Sequence, residues 1–137
     1  MAAAQDPLEQ AAAIPIRCGR VCLISSSSGK RWIVPKGSIE AGDGAEETAL
    51  REAWEEAGLT GVLYSEPVGS YCFEKYGRLC RVTVFLLEVQ QAAADWPEAA
   101  WRQRWWLPGE QAADLIHDRG LRKLLRRVAA TAAAEVA

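Results

Sequence analysis

Apolar and polar residues alternate along several stretches of this chain, which is the pattern of strands with one buried face. Residues 14–25 carry branched apolar side chains, a serine-rich turn follows at 26–30, and a short apolar stretch at 31–34 stops at Pro35. The two apolar stretches on either side of the turn predict a β-hairpin. Further strands are predicted over residues 59–68, 70–76, 79–89 and 101–107.

Helical spacing begins after a glycine-containing loop over residues 36–44. A helix is predicted over residues 44–57, and Gly58 is the kind of residue that ends one. Asp43 and Glu46 have the three-residue spacing of a capping box, in which the two side chains bond free backbone N–H groups of the first turn. The sequence therefore predicts both ends of this helix.

A second helical region begins at Pro108, is interrupted near residues 118–120, and continues as an amphipathic helix over 121–136. The order of elements is then β-β-loop-α-β-β-β-β-α. This order predicts an α+β fold, an α/β/α sandwich in which a mixed sheet is flanked by helices on its two faces. Residues 1–13 are alanine-rich and weakly patterned, so we expect a flexible tail before a single domain over residues 14–137.

Length, composition and net charge limit the kinds of molecule that this protein is expected to bind. A length of 137 residues suits one compact domain, and a net charge of −2 gives no general attraction for a polyanion, so nucleic acid is not expected as a partner. The four cysteines lack the spacing of a zinc site and fit buried positions in a reducing compartment. Because there is no signal-peptide pattern and no apolar run long enough to cross a membrane, we predict a cytoplasmic protein without membrane contact.

The predicted helix over 44–57 has one strongly acidic face. Glu52, Glu55 and Glu56 fall within an arc of about 100° on a helical wheel, opposite an apolar face. Like charges at these spacings repel one another, by about 0.2–0.5 kcal/mol per pair. A divalent cation turns the repulsion into attraction, and Mg²⁺ prefers such oxygen ligands. A solvated acidic face is the alternative. The apolar face comprises Leu50, Ala53, Trp54 and Ala57.

The residues around this face form a longer pattern, in which Gly37 is followed by Asp43 and then by Arg51-Glu-Ala-Trp-Glu-Glu-Ala-Gly-Leu59. This pattern resembles the signature of the Nudix family, G-x5-E-x7-R-E-U-x-E-E-x-G-U, where U is aliphatic. Asp43 in place of the first Glu and the small Ala53 are the two departures. The resemblance implies the Nudix fold and a pyrophosphohydrolase that depends on Mg²⁺, with Mn²⁺ as the other candidate metal.

The resemblance also implies roles for individual residues. Glu52 and Glu56 correspond to the main metal ligands, with Glu55 assisting and the carbonyl of Gly37 as a backbone ligand. Glu52 or Glu55 is the candidate to orient or deprotonate the attacking water. Arg51 is expected to hold the carboxylates in place, by pairing with Glu47 or Glu55. A carboxylate from outside the motif is a further candidate ligand, and three are available: Glu74, Glu88 and Glu98.

Flanking segments resemble the diphosphoinositol polyphosphate phosphohydrolase branch, whose members also cleave diadenosine polyphosphates. These segments are residues 21–35, Asp95-Trp-Pro97 and 102–107, although Lys36-Gly37-Ser38 stands where that branch has three glycines. The implied substrate is a small molecule with a phosphoanhydride bond, a polyphosphate linked to a nucleoside or an inositol. Such a substrate requires a basic rim with hydroxyl donors. The candidate substrate-binding residues are Arg17, Ser26, Ser27, Arg31, Lys36, Arg78 and Arg102.

The tryptophans and the one histidine predict positions in the fold but no role in the chemistry. Trp32 and Trp54 fall at apolar positions and are expected in the core. Trp105 and Trp106 are neighbours on a predicted strand, so they should point to opposite faces. His117 is expected at the surface.

Two different functions remain compatible with the sequence. A Nudix-fold binding or sensor module would hold a nucleotide or an inositol phosphate without cleaving it, but the chain keeps all three glutamates of the helix. The second is an mRNA-decapping or other RNA-directed hydrolase, or a nucleoside triphosphate pyrophosphohydrolase. The acidic net charge and the lack of a basic aromatic stripe weigh against an RNA substrate. The sequence makes no prediction of oligomeric state.

Overall fold

The computed structural model describes residues 5–136, with side chains described for residues 5–131. It contains eight strands and three helices in this part of the chain. The strands are β1 (Leu8–Arg17), β2 (Arg20–Ser25), β3 (Trp32–Ile33), β4 (Lys36–Ser38), β5 (Leu59–Leu63), β6 (Gly69–Lys75), β7 (Arg78–Ala92) and β8 (Arg104–Pro108). The helices are α1 (Ala45–Ala57), α2 (Gly109–Leu115) and α3 (Arg119–Val136). Within the described residues, no helix is long and apolar enough to cross a membrane.

All strands belong to one sheet with the order β3-β2-β1-β7-β5. Strands β1 and β7 run parallel at its centre, whereas the other pairings are antiparallel. Three strands lie off this order, with β4 on β1, β6 on β7 and β8 on β2. Helix α1 covers one face, and α2 with α3 cover the other. The predicted α+β sandwich with a mixed sheet is therefore confirmed.

The central strands are buried on both faces, because successive side chains point in opposite directions. In β7, Val82 and Val84 pack beneath α2 and α3, whereas Phe85 and Leu87 pack beneath α1. Strand β2 repeats the arrangement, with Val21 and Leu23 on the first face and Cys22 and Ile24 on the second. This two-sided burial explains why the central strands read as apolar runs and not as a strict alternation.

The expected flexible tail over residues 1–13 is wrong from residue 8 onward. Those residues form the first half of β1, the strand that joins β2 to β7, and Ala11–Ala13 have no exposed surface. Alanine is a poor strand former, but its small side chain lets α1 approach the sheet closely. Ala11 and Ala13 share a core cluster with three alanines of α1. Residues 1–4 lie outside the described part of the chain.

Helix α1 begins and ends within one residue of its predicted bounds. Gly58 ends it in the left-handed conformation, with φ of 67°, as predicted. The predicted capping box is wrong, because Gly44 occupies the cap position without a side-chain bond. Asp43 bonds Arg51 instead, and the hydroxyl of Thr48 donates to the carbonyl of Gly44 at 3.0 Å.

Several strand boundaries differ from the prediction because local turns interrupt or extend the pattern. The predicted strand over 14–25 is divided by a tight turn at Cys18 and Gly19, both with positive φ. The predicted loop over 36–44 begins with β4, which adds to β1. Strand β7 runs three residues past the predicted end to Ala92, and β5 pairs with that extension.

Candidate active site

Two carboxylates of the acidic helix face lie against β4. Glu56 is 8% exposed, and the backbone N–H of Lys36 donates to its Oε1 at 3.2 Å. The Glu52 side chain lies close enough to Glu56 to affect the protonation of its carboxylate. At Gly37, any Cβ would collide with the side chain of Glu52, so a larger residue would displace that carboxylate from β4. Helix α1 and strand β4 thus bring the side chains of Glu52 and Glu56 and the backbone of Gly37 together.

This pair of carboxylates carries an unusual proton affinity. Burial raises the pKa of Glu56 to about 8, and the adjacent carboxylate of Glu52 adds to the effect. Burial also raises the pKa of Glu52, to which the nearby charge of Glu55 contributes. Two carboxylates sharing a confined site favour a bound cation or a shared proton. In the described part of the chain, the side chains of Asp, Glu, His and Cys do not by themselves form a complete metal site of three or more.

Arg51 pairs with Asp43, which stands at the first acidic position of the signature. Its Nη1 lies 2.9 Å from Oδ2 of Asp43, and neither Glu47 nor Glu55 is its partner in the described contacts. The ion pair ties the loop before α1 to the second turn of the helix, one residue before Glu52. Arg51 therefore fixes the loop that leads out of β4 relative to the carboxylates.

Arg102 lies among the carboxylates and not on an exposed rim. Its side chain is 8% exposed, with Nη2 2.9 Å from Oε1 of Glu98 and 4.0 Å from Oε2 of Glu56. Its Nη1 donates to the carbonyl of Ser25 at 2.8 Å. Three carboxylates from outside the motif were candidate ligands, and Glu98 is the one that reaches Arg102 and Glu56. Glu88 bonds the hydroxyl of Tyr64 instead, and Glu74 lies beside a neighbouring cavity.

A cavity of about 420 Å³ adjoins the carboxylates through Lys36. The Lys36 ammonium lies 4.7 Å from the centre of the Phe73 ring and donates to Gln10 Oε1 at 3.4 Å. Burial lowers the pKa of this ammonium, whereas the charge of Glu56 opposes the change. The walls are mostly aromatic and aliphatic, from Trp32, Ile33, Val34, Tyr71, Phe73, Ile116 and Leu121. The polar lining residues are Arg31, Lys36, Glu74, His117 and Asp118.

The structure gathers only part of the predicted basic rim at this cavity, namely Arg31 and Lys36. Arg17 lines a separate cavity beside Trp54, beyond the end of α1. Arg78 lies at the start of β7 and donates to the carbonyl of Asp6 at 3.1 Å. None of the described contacts joins Arg17 or Arg78 to the carboxylates. Their positions on different strand ends depend on the sheet order, which the sequence pattern does not reveal.

The predicted serine donors belong to the turn between β2 and β3. Ser26 accepts a bond from the Arg31 backbone N–H at 3.1 Å, which closes the turn, and Ser27 is exposed at its tip. The Ser26 hydroxyl thus already has a structural partner. Sequence reasoning missed Tyr71, Phe73 and Asp118 as cavity residues, because their strand and helix positions look like ordinary core and cap positions.

The tryptophans divide in a different way from the prediction. The prediction of Trp54 in the core is wrong, because its side chain is 39% exposed on the outer side of α1. Trp32 is half-buried and packs edge-to-face on Trp105, with ring centres 5.1 Å apart. Trp105 is exposed, whereas Trp106 packs beneath α1, so the prediction of opposite faces is confirmed. His117 is exposed, as predicted.

Comparison with known proteins gives the family. The sequence model of the NUDIX domain matches residues 7–128. Nudix hydrolase 4 of Arabidopsis thaliana is 36% identical over 108 residues, which are 77% of this chain and 52% of the relative. Diphosphoinositol polyphosphate phosphohydrolase 3-alpha of Mus musculus is 35% identical over 99 residues, 70% of this chain and 59% of the relative. The chain thus spans little more than half the length of these relatives.

The fold has solved counterparts. The crystal structure of the C. elegans Ap4A hydrolase superposes with a TM-score of 0.74 over 92% of this chain and 98% of that one. At 20% sequence identity, this likeness concerns the fold alone. Because the domain match includes both β1 and the acidic helix, the chain belongs to the Nudix family and has the Nudix fold.

Proposed function

We propose that this protein is a metal-dependent hydrolase that cleaves a phosphoanhydride bond in a nucleoside- or inositol-linked polyphosphate. The observation that carries the proposal is the confined pair Glu52 and Glu56, held against the backbone of Lys36 and Gly37. A structural role alone does not explain two neighbouring carboxylates of which Glu56 is buried, since burial and mutual repulsion of two charged carboxylates destabilise the fold.

The donor set fits Mg²⁺, or Mn²⁺ in its place, because carboxylate and carbonyl oxygens are hard ligands. We assign Glu52 and Glu56 as the main ligands, with Glu55, the Gly37 carbonyl and Glu98 in support. When bound, the metal neutralises phosphate charge and lowers the pKa of a coordinated water. Glu52 or Glu55 accepts the proton of the attacking water. Arg51 acts through Asp43 to hold the preceding loop, and Arg102 holds Glu98 beside Glu56.

The cavity beside Lys36 is the proposed substrate site, and its lining favours a nucleoside over an inositol. Trp32, Tyr71 and Phe73 offer flat apolar surfaces on which a base can stack. Glu74 and Asp118 would repel the dense charge of an inositol polyphosphate. Arg31 and Lys36 lie where a polyphosphate could run from a bound nucleoside toward Glu56. A dinucleoside polyphosphate is therefore the preferred substrate within the proposal, and a diphosphoinositol polyphosphate is the alternative.

A sensor module and an RNA-directed hydrolase find less support at this site. A binding or sensor module needs no confined pair of carboxylates. An RNA-directed hydrolase needs an extended basic surface, whereas Arg17 and Arg78 lie apart from the site. The cytoplasmic location stays a prediction from the sequence.

A substrate panel tests the proposal. Phosphate-containing products are measured with Mg²⁺, with Mn²⁺ and with EDTA, for diadenosine polyphosphates, diphosphoinositol polyphosphates, nucleoside triphosphates and sugar nucleotides. We expect metal-dependent cleavage that is fastest for diadenosine polyphosphates. Faster cleavage of diphosphoinositol polyphosphates would overturn the nucleoside preference. Cleavage of none of the four classes would remove the proposed function.

A further inference from the structure

The C-terminal end of α1 is held by a single segment of chain, residues 93–104, which we call the clasp. The last carbonyls of a helix have no partner within it. Here four consecutive carbonyls each accept a bond from the clasp, although the last turn of α1 contains no basic residue. The bonds are Glu98 N–H to Glu55 O at 3.1 Å, Trp96 Nε1–H to Glu56 O at 3.0 Å, Arg104 Nη1–H to Ala57 O at 3.1 Å and Ala93 N–H to Gly58 O at 2.9 Å.

Trp96 and Arg104 also hold the clasp together. The Arg104 guanidinium lies 4.2 Å from the centre of the Trp96 ring, and its Nη2 donates to the carbonyl of Ala93 at 2.7 Å. The Trp96 ring packs directly on Gly58, where a Cβ would lie 2.8 Å from the ring. The indole is therefore fixed by a stacked cation, a hydrogen bond and a close backbone contact. Its position along the helix has little freedom.

The clasp carries the two residues that reach the carboxylates. Glu98 follows Trp96 by two positions, and its N–H bond to Glu55 O sets its backbone against the helix. Arg102 then joins the carboxylates of Glu98 and Glu56. A shift of the clasp along α1 would move both side chains relative to Glu56.

We propose that Trp96 and Arg104 are positioning residues for the cation site. They fix the clasp on the last turn of α1, so that Glu98 and Arg102 meet Glu56 in the geometry that binds the metal. The proposal rests on the proposed function, because it concerns the same cation. Placement errors of about 1 Å at such sites have large effects on activity, of the order of a hundredfold.

The test removes the indole N–H of Trp96 and keeps an aromatic, though smaller, side chain at this position. Trp96→Phe loses the indole N–H that reaches Glu56 O, whereas Trp101→Phe, at a 54% exposed position of the same segment, is the matched control. Mg²⁺ binding is measured by calorimetry and by the shift in Tm, without substrate. We expect Trp96→Phe to raise the half-saturating Mg²⁺ concentration about five- to tenfold, and Trp101→Phe to change it less than about twofold. In EDTA, the Tm of both variants should stay within a few degrees of the wild type.

A second variant distinguishes positioning from general support. If Trp96 acts through Glu98, Trp96→Phe added to Glu98→Gln should weaken Mg²⁺ binding little beyond Glu98→Gln alone. Additive losses would overturn the proposal, as would a lower Tm with unchanged Mg²⁺ affinity in Trp96→Phe. A wild-type protein that binds Mg²⁺ and hydrolyses nothing on the panel would remove the proposed reaction but leave the positioning role standing. Absence of Mg²⁺ binding in the wild type would overturn both.

Discussion

At the scale of single residues, the buried carboxylate of Glu56 has the most measurable consequence. Its pKa of about 8 in the folded protein lies above its ordinary value of 4.5. Between these two pH values the folded protein holds a proton that the unfolded chain has released. The free energy of unfolding of the metal-free protein should therefore fall as pH rises through this window, and level off above about pH 8.

Replacing Glu56 by Gln tests this directly. Because Gln does not titrate, Glu56→Gln should become more stable relative to the wild type as pH rises from about 5 to about 8 in EDTA. Urea unfolding at several pH values measures the difference. Added Mg²⁺ should raise the Tm of the wild type and leave that of Glu56→Gln unchanged. An equal Mg²⁺-induced shift in both proteins would contradict the assignment of Glu56 as a metal ligand.

Lys36 separates metal binding from substrate binding, since its backbone N–H bonds Glu56 while its side chain lines the cavity. Lys36→Met keeps the backbone contact and removes the charge. We expect KM for a dinucleoside polyphosphate to rise about tenfold, because a charge-assisted contact to phosphate is lost. The half-saturating Mg²⁺ concentration should not rise, because the lost charge is a positive one that lies near Glu56. Lys30→Met, in the exposed turn, is the control, and an equal effect on KM in that variant would remove Lys36 from the substrate site.

At the scale of elements, the end of α1 combines two demands on one glycine. Gly58 needs a positive φ and has no room for a Cβ beneath Trp96, whereas Gly42 has a positive φ with nothing within 4 Å. Gly42→Ala should therefore cost about 1 kcal/mol of unfolding free energy, from backbone strain alone. Gly58→Ala should cost about 3 kcal/mol or more, because the Trp96 ring must also move. Urea unfolding gives the free energy of unfolding of both variants. Similar losses in the two would show that the Trp96 ring moves away from Gly58 at little cost.

The same helix shows what a sequence can predict at this scale. Its bounds and acidic face follow from local patterns, namely helical spacing, a terminal glycine and three glutamates on one arc. The partners of its side chains do not, because they come from distant strands and from the clasp. Arg102 is predicted as part of an exposed basic rim, whereas the fold brings it beside Ser25 and Glu98. Trp54 matches a core position on the wheel, yet α1 rests on the sheet through alanines and turns that indole outward.

At the scale of the whole molecule, the position of the alanine-rich N-terminal segment is what sequence patterns predict least well. A run of alanines has neither helical nor strand periodicity, so residues 1–13 have the pattern of a tail. The role of Ala11 and Ala13 depends on α1, whose own alanines need a shallow sheet surface on which to pack. Sequence patterns describe one segment at a time, and a close contact between two such segments leaves no mark in either alone. The mixed sheet with helices on both faces is nonetheless predictable from the order of the elements.

A pair of substitutions in β1 tests the position of this strand. Ala13 is fully buried beneath α1, whereas Leu8 is 37% exposed at the start of the same strand. Ala13→Asp would bury an unpaired charge and should lower the free energy of unfolding by about 3 kcal/mol or more. Leu8→Asp should lower it by less than about 1 kcal/mol. Circular dichroism during urea unfolding gives both values. An unchanged free energy of unfolding in Ala13→Asp would contradict the burial of this strand and support the predicted flexible tail.

The central pairing of β1 with β7 has a consequence for how the chain reaches this fold. Glu9 and Arg81 stand side by side across that pair although 72 positions separate them in the chain. Contacts of such long sequence separation close late, because the entropy of the intervening chain must be overcome first. During synthesis, β1 leaves the ribosome long before its parallel partner exists. Until then the backbone edge of β1 that faces β7 has no partner, and such unpaired strand edges make a partly folded chain prone to aggregation.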